Sequence, residues 1–201
     1  MGLTVGIIAY AHTGTSMLSA ILEMMGVKMV FDDVEDYHHR KWEDHEFIHK
    51  LENEDAFAEM VARRNAQVDC WGFKYPGAWQ YMDRLERHLR DPVYLAMWKD
   101  PVSVTLRRFN STNRFGRKLR NTIRQMKRAM DGIHAAGQPC HHFSYEDAVL
   151  TPARFVDRVA DVIGVTLDEP QRERIVSYIQ PNVSGNRHRA YPEIEPWISR
   201  S

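Results

Sequence analysis

A three-layer α/β domain, a parallel sheet flanked by helices, is the fold class this sequence predicts, and three observations point there. Apolar runs of strand length alternate with segments of helical period, the pattern of parallel strands joined by crossover helices. The 201 residues with 43% hydrophobic content suit one ordinary domain with a packed core, so residues 1–201 read as a single unit. No internal repeat, low-complexity tract or Gly/Ser linker divides them.

The first strand is expected over Thr4–Tyr10, an apolar run that passes through a glycine turn into a helix over Ser16–Met25. A weaker strand fits near Lys28–Phe31. Cys70–Phe73, Val93–Trp98 and His141–Ser144 supply the other strand-length runs. Helical period fits Glu43–Arg64, Ala78–Leu89, Val102–Phe109, Arg117–Ala136, Pro152–Ile163 and Glu169–Ile179. From Pro181 the tail reads as loop, spaced by Pro192 and Pro196.

Composition excludes several classes. Lys and Arg balance Asp and Glu at 27 each, so no global field draws the molecule to nucleic acid or to a membrane. Two cysteines, Cys70 and Cys140, are too few for a disulfide framework and suggest reduced thiols. No basic leader precedes the short apolar run at the N-terminus, and nothing reaches the ~18 apolar residues of a membrane span. A soluble, cytoplasmic protein is expected.

The chemistry concentrates where "VGIIAY" runs into "AHTGTSMLSAILEMMG". Gly14 sits at the strand-to-helix turn, and Thr15 and Ser16 open the helix. Free backbone N–H groups and the positive end of the helix dipole then converge on one point, which suits a phosphate. Against the Walker A pattern, Ala9 and Gly14 take the glycine places and Ser16 the final hydroxyl, but Thr15 stands where the lysine belongs. Without that charge clamp a γ-phosphoryl transfer is disfavoured. A glycine turn with a hydroxyl at the helix start and no ligand fits the loop equally well.

Two further signals compete. "HEFIH", His45 to His49, satisfies the H-E-x-x-H pattern of zinc peptidases, yet Glu52 and Asp55 occupy the places of the longer motif and no third ligand is evident. The other reading is a solvated helix face. From Pro101 to Met130 there is no acidic residue, while Arg107, Arg108, Arg114, Arg117, Lys118, Arg120, Arg124, Lys127 and Arg128 accumulate. Only Phe109 and Phe115 interleave, too few for stacking on single-stranded nucleic acid. The stripe either surrounds a bound phosphate, attracting an acidic acceptor, or is one solvated helix face.

Five segments in order resemble the sulfotransferase family. Ala11, His12, Thr13, Gly14, Thr15 and Ser16 match its 5′-phosphosulfate loop, which commonly reads Pro, Arg or Lys, Ser or Thr, Gly, Thr, Thr or Ser. "YHHRKWEDHEFIHKL" resembles a Trp-Glu-Asp stretch of bacterial members, and "WGFKYP" a Trp-Gly-x-Lys-x-Pro segment. "WKDPVSVTLRRF" resembles the 3′-phosphate segment, and "YEDAVLTPARFVDRVADVIGV" the Tyr-Glu-Asp helix. The resemblance implies a P-loop NTPase-like sulfotransferase fold, 3′-phosphoadenosine 5′-phosphosulfate (PAPS) as donor, adenosine 3′,5′-bisphosphate (PAP) as product, and no metal. The implied acceptor is a hydroxyl or amine of a small molecule or glycan, with no nucleic acid and no membrane; oligomeric state stays open, a homodimer included.

The resemblance also implies roles. Thr13, Gly14, Thr15 and Ser16 would hold the 5′-phosphate and sulfonate. His12 stands where the family has Arg or Lys, and an imidazole with a reference pKa near ~6.5 offsets charge there only when protonated. Lys74, just past a buried strand, would support the sulfonate. Lys99 takes the Arg position of the Arg-Asp-Pro segment, and Arg107 the place of a serine that also holds the 3′-phosphate. Glu43 would be the base, although Glu43 and Asp44 equally suit the first turn of a helix. Arg187, in "SGNRHR", would reach the nucleotide. Two other functions remain: a nucleotide- or nucleic-acid-binding P-loop-like protein without catalysis, and the zinc peptidase.

Overall fold

The computed structural model describes residues 2–29, 31, 42, 44–109 and 114–179. Four strands, β1 (Leu3–Ala9), β2 (Cys70–Lys74), β3 (Pro92–Trp98) and β4 (Cys140–Ser144), form one parallel sheet in the order β2-β1-β3-β4. β1 shows why: all its residues after Leu3 are buried, as in a strand covered on both faces. Where neighbouring strands come close the sequence has glycine. A Cβ on Gly72 would stand 2.7 Å from the Val5 carbonyl oxygen, and one on Gly6 would stand 2.7 Å from the Phe73 ring.

Nine α-helices are described. They are α1 (Thr15–Met24), α2 (His45–Lys50), α3 (Glu54–Gln67), α4 (Met82–His88, led by a 3₁₀ turn at Ala78–Tyr81), α5 (Pro101–Phe109), α6 (Phe115–Ala135), α7 (Tyr145–Leu150), α8 (Pro152–Ile163) and α9 (Glu169–Tyr178). They divide between the faces of the sheet. Val5 and Ile7 share a cluster with Leu18, Ile21 and Leu22 of α1, Val156 of α8 and Ile175 of α9. Ile8, pointing the other way, packs with Phe47 of α2, Phe57 of α3, Leu85 of α4 and Ile133 of α6. The result is the expected three-layer architecture.

Two expectations need correction. The helix read over Glu43–Arg64 is two helices, because Asp44 and Asn53 each cap a new start: Asp44 accepts from the Phe47 N–H at 2.8 Å and Asn53 from the Ala56 N–H at 3.1 Å. The weak strand near Lys28 is a single parallel bridge to Trp71, with the Lys28 N–H donating to Cys70 at 3.2 Å and the Gly72 N–H to Lys28 at 2.9 Å. One charged group lies deep in the core. Arg64 is fully buried, paired with Asp44, 3.1 Å from Glu46, and laid over the rings of Phe31 and Trp71 at 4.3 and 5.3 Å.

Candidate active site

In a parallel sheet the C-terminal strand ends share one edge, and ligands bind where neighbouring connections diverge. Here that place lies between β1 and β3, since the chain leaves β1 toward β2 on one side and β3 flanks it on the other. The loop after β1 fills it. Its backbone turns left-handed twice, at His12 (φ 69°) and at Gly14 (φ 101°). The Thr13 hydroxyl donates to the Tyr10 carbonyl at 2.7 Å and fixes the turn. Gly14 then takes the N-cap position of α1 without a side chain to cap it, so the N–H groups of Thr15 and Ser16 are left to whatever binds there. Thr13 and Thr15 are buried, whereas His12 and Ser16 are exposed.

Two lysines stand on the same edge. Lys74 ends β2, in register with Ile7 of β1, and only 4% of it is exposed. The pairing continues beyond it: the Tyr75 N–H donates to the Ile7 carbonyl at 3.1 Å, so the strand end is held rigidly. Lys99 follows β3, with its ammonium 3.9 Å from the centroid of the Tyr145 ring. Burial, then the neighbouring Arg107 charge, holds this amine below the ordinary lysine value. After it, Asp100 caps α5 by accepting from the Ser103 N–H at 2.7 Å. That bond keeps the Asp100 carboxyl below the usual carboxylate range.

Tyr145 joins the two halves. A Cβ on Gly14 would stand 2.6 Å from Tyr145 Cδ2, so the ring that carries Lys99 also rests against the loop glycine. Glu146 beside it accepts from the Asp100 N–H at 3.0 Å and from the Ser144 hydroxyl at 3.0 Å. From the far side, Arg108 of α5 donates to the Tyr10 hydroxyl. The edge therefore presents a helix N-terminus flanked by two partly or wholly buried ammonium groups, a setting suited to an extended ligand with more than one anionic group.

The family model for the sulfotransferase family matches residues 28–169, more than half of the chain. The chain belongs to the sulfotransferase family. The match begins after the N-terminal loop and does not cover it. No curated protein matches the sequence. Solved structures agree on the fold. The sulfotransferase domain of the Synechococcus PCC 7002 olefin synthase aligns at a TM-score of 0.59 and 17% identity, over 100% of this chain and 88% of that one. The sulfotransferase domain of the curacin biosynthetic pathway aligns at 0.59 and 13%, over 93% and 80%. Retinol dehydratase, crystallised with androsterone and the inactive cofactor PAP, aligns at 0.54 and 16%, over 95% and 69%. At these identities the likeness concerns the P-loop-like fold of the sulfotransferases.

Of the residues the sequence singled out in this sulfotransferase, His12, Thr13, Gly14, Thr15, Ser16, Lys74, Lys99 and Arg107 stand on elements at the one edge, with Arg107 exposed on α5. Glu43 and Arg187 lie outside the described residues. The H-E-x-x-H segment lies on α2. His45 and His49 are on α2 with ring centroids 6.2 Å apart, but Glu46 is tied to Lys50 at 3.0 Å, to Arg64 at 3.1 Å and to Arg63 at 2.5 Å. Burial opposes ionisation of Glu46, yet hydrogen bonds from Lys50, Arg64 and Arg63 outweigh it and hold the carboxyl low, so it is a poor base. Among the described residues no group of three or more His, Cys, Asp or Glu side chains could hold a metal ion, and no described helix is long and apolar enough to cross a membrane. Sequence reasoning missed Tyr145 and Glu146 as site residues, though "YEDAVL" marked their segment.

Proposed function

We propose that this sulfotransferase moves a sulfonate from PAPS to a hydroxyl or amine of a small-molecule or glycan acceptor. The observation that carries the reading is the continuous anion-binding edge: the uncapped start of α1 at Gly14, the Tyr145 ring against it, and the Lys99 ammonium on that ring. The residues fit a donor with two phosphate groups, since the uncapped helix start at Gly14 and the Lys99 ammonium offer two anion-binding positions on one edge.

The donor supplies the sulfonate and leaves as PAP. The N–H groups of Thr15 and Ser16, with the Ser16 hydroxyl, hold the 5′-phosphate on the helix dipole. Lys74 donates to the sulfonate oxygens from the end of β2, where burial makes its charge effective. His12, as imidazolium, offsets the charge that develops on the leaving oxygen. Lys99 and Arg107 hold the 3′-phosphate, and Arg187 adds to the nucleotide contacts. The acceptor oxygen or nitrogen attacks sulfur in line with the leaving phosphate oxygen, and its proton passes to a carboxylate, for which Glu43 is the candidate.

Incubation with ³⁵S-labelled PAPS and a panel of alcohols, phenols, amines and oligosaccharides tests the reading. Labelled product is expected from wild type and a loss of ~100-fold or more from Lys74→Ala. Absence of labelled product from every acceptor, together with absence of PAP binding, would overturn it.

A further inference from the structure

The phosphate loop carries no permanent positive charge of its own. From Ala9 to Met17 the only side chain that can become cationic is the imidazole of His12, and an imidazole of ordinary pKa, ~6.5, is charged only in part at neutral pH. We propose that Arg108, near the end of α5, is a donor-binding residue that brings a permanent guanidinium to the 5′ end of bound PAPS and so supplies the charge that His12 gives only when protonated; this rests on the sulfonate-transfer reading above.

Direction is the first support. α5 turns Val104 and Thr105 inward, both fully buried. Arg108 lies four and three residues beyond them on that same side of the helix, whereas Leu106 is turned out to solvent. The side chain of Arg108 therefore meets the sheet edge, where it donates to the Tyr10 hydroxyl. Tyr10 is the first residue past β1, and its carbonyl accepts from the Thr13 hydroxyl at 2.7 Å, so the residue that receives Arg108 is itself fastened to the loop. A guanidinium presents five N–H donors in a planar fork, so the bond to Tyr10 orients it without exhausting it.

Division of labour is the second. Arg107 and Arg108 are consecutive on α5 and point about 100° apart around it. Burial and then the Arg107 charge hold the Lys99 amine below its ordinary value, which puts Arg107 beside the 3′-phosphate position. Arg108 is bonded at the other end of the edge, beside the loop. That end takes the 5′-phosphate and the oxygen on which charge develops as sulfur leaves, so a fixed cation there favours the transition state as well as the bound donor. Lys74 on β2, Lys99 and Asp100 after β3, and Glu146 on α7 are further charged groups around the loop. They are lysines and carboxylates, whose ordinary titration ranges lie outside pH 6–8, while that of an imidazole lies within it.

Calorimetric titration with PAP at pH 6 and pH 8 tests this in wild type, Arg108→Gln and His12→Arg/Arg108→Gln. Arg108→Gln is expected to bind PAP roughly tenfold or more weakly than wild type at pH 8 and to lose clearly less at pH 6, where the imidazole is charged. The ratio of the two proteins at each pH cancels the ionisation of the ligand itself. The double variant is expected to recover most of the loss at pH 8, because it puts a permanent cation back on the loop. Adenosine 3′-monophosphate, which lacks the 5′ group, is expected to bind wild type and Arg108→Gln alike. An equal loss at both pH values, no recovery in the double variant, or an equal loss for adenosine 3′-monophosphate each overturns the assignment of Arg108 and leaves it a clamp on Tyr10 or a ligand of the other phosphate. Wild type separates the readings: if it binds PAP and the variants fail these expectations, the role of Arg108 alone falls, and if it does not bind PAP, the donor site falls and Arg108 with it.

Discussion

Gly14→Ala perturbs the phosphate loop at one methyl group. Two costs follow from the geometry. At φ 101° an L side chain is strained, by about 1–2 kcal/mol. The new Cβ would stand 2.6 Å from Tyr145 Cδ2, so the ring must retreat about 0.8 Å to reach the 3.4 Å of ordinary contact. Overpacking of that kind costs roughly 1–3 kcal/mol. Together about 2–5 kcal/mol is expected, a fall in melting temperature of roughly 4–20 °C for a chain of this size. Because the displaced ring carries Lys99, PAP should also bind more weakly. Urea denaturation of Gly14→Ala, Tyr145→Ala and the double variant separates the costs: without the ring only the backbone strain remains, so the two substitutions should couple by more than ~1 kcal/mol. Additivity within ~0.5 kcal/mol would refute the packing of Tyr145 on the loop.

Lys99→Met should separate stability from binding. The native amine is held below its ordinary value while the unfolded amine is not, so charging it in the native state carries a penalty that is present at neutral pH and relieved as pH rises through the folded value. The variant is expected to melt no lower than wild type at neutral pH and to bind PAP roughly tenfold more weakly, and wild-type affinity should itself fall toward alkaline pH; calorimetry across that range checks both. Arg64→Met strands the buried Asp44 carboxylate and should cost about 3–5 kcal/mol by urea denaturation, whereas Asp44→Asn/Arg64→Met, which keeps the cap of α2, should recover most of it. His45→Ala/His49→Ala should leave melting temperature and sulfonate transfer unchanged, and purified protein should contain no stoichiometric zinc by metal analysis.

β1 and β3 were legible because each is a near-continuous apolar run bounded by polar residues, and the loop because a glycine and two hydroxyls follow the first of these runs at a helix start. The break between α2 and α3 was harder to see: Leu51 and Ala58, seven residues apart, keep the helical period across it, and only the capping role of Asn53 marks the restart. Arg64 carried a readable signal. It lies seven residues after Phe57 and three after Val61, on the apolar stripe of α3, where a charge implies a buried partner. The Tyr145 contact carried none, since it joins residues more than a hundred positions apart and depends on the absence of a side chain at Gly14.

Thermal unfolding in the presence of PAP tests the donor site most directly. At about 100 times its dissociation constant a ligand that binds only the folded chain adds ~2.7 kcal/mol, which raises the melting temperature of a domain this size by roughly 5–10 °C. That shift is expected for wild type and should fall to about half in Lys99→Ala, since tenfold weaker binding at the same concentration leaves ~1.4 kcal/mol. An unchanged melting temperature at millimolar PAP would contradict a phosphosulfate site on the edge formed by Gly14, Lys74, Lys99 and Tyr145.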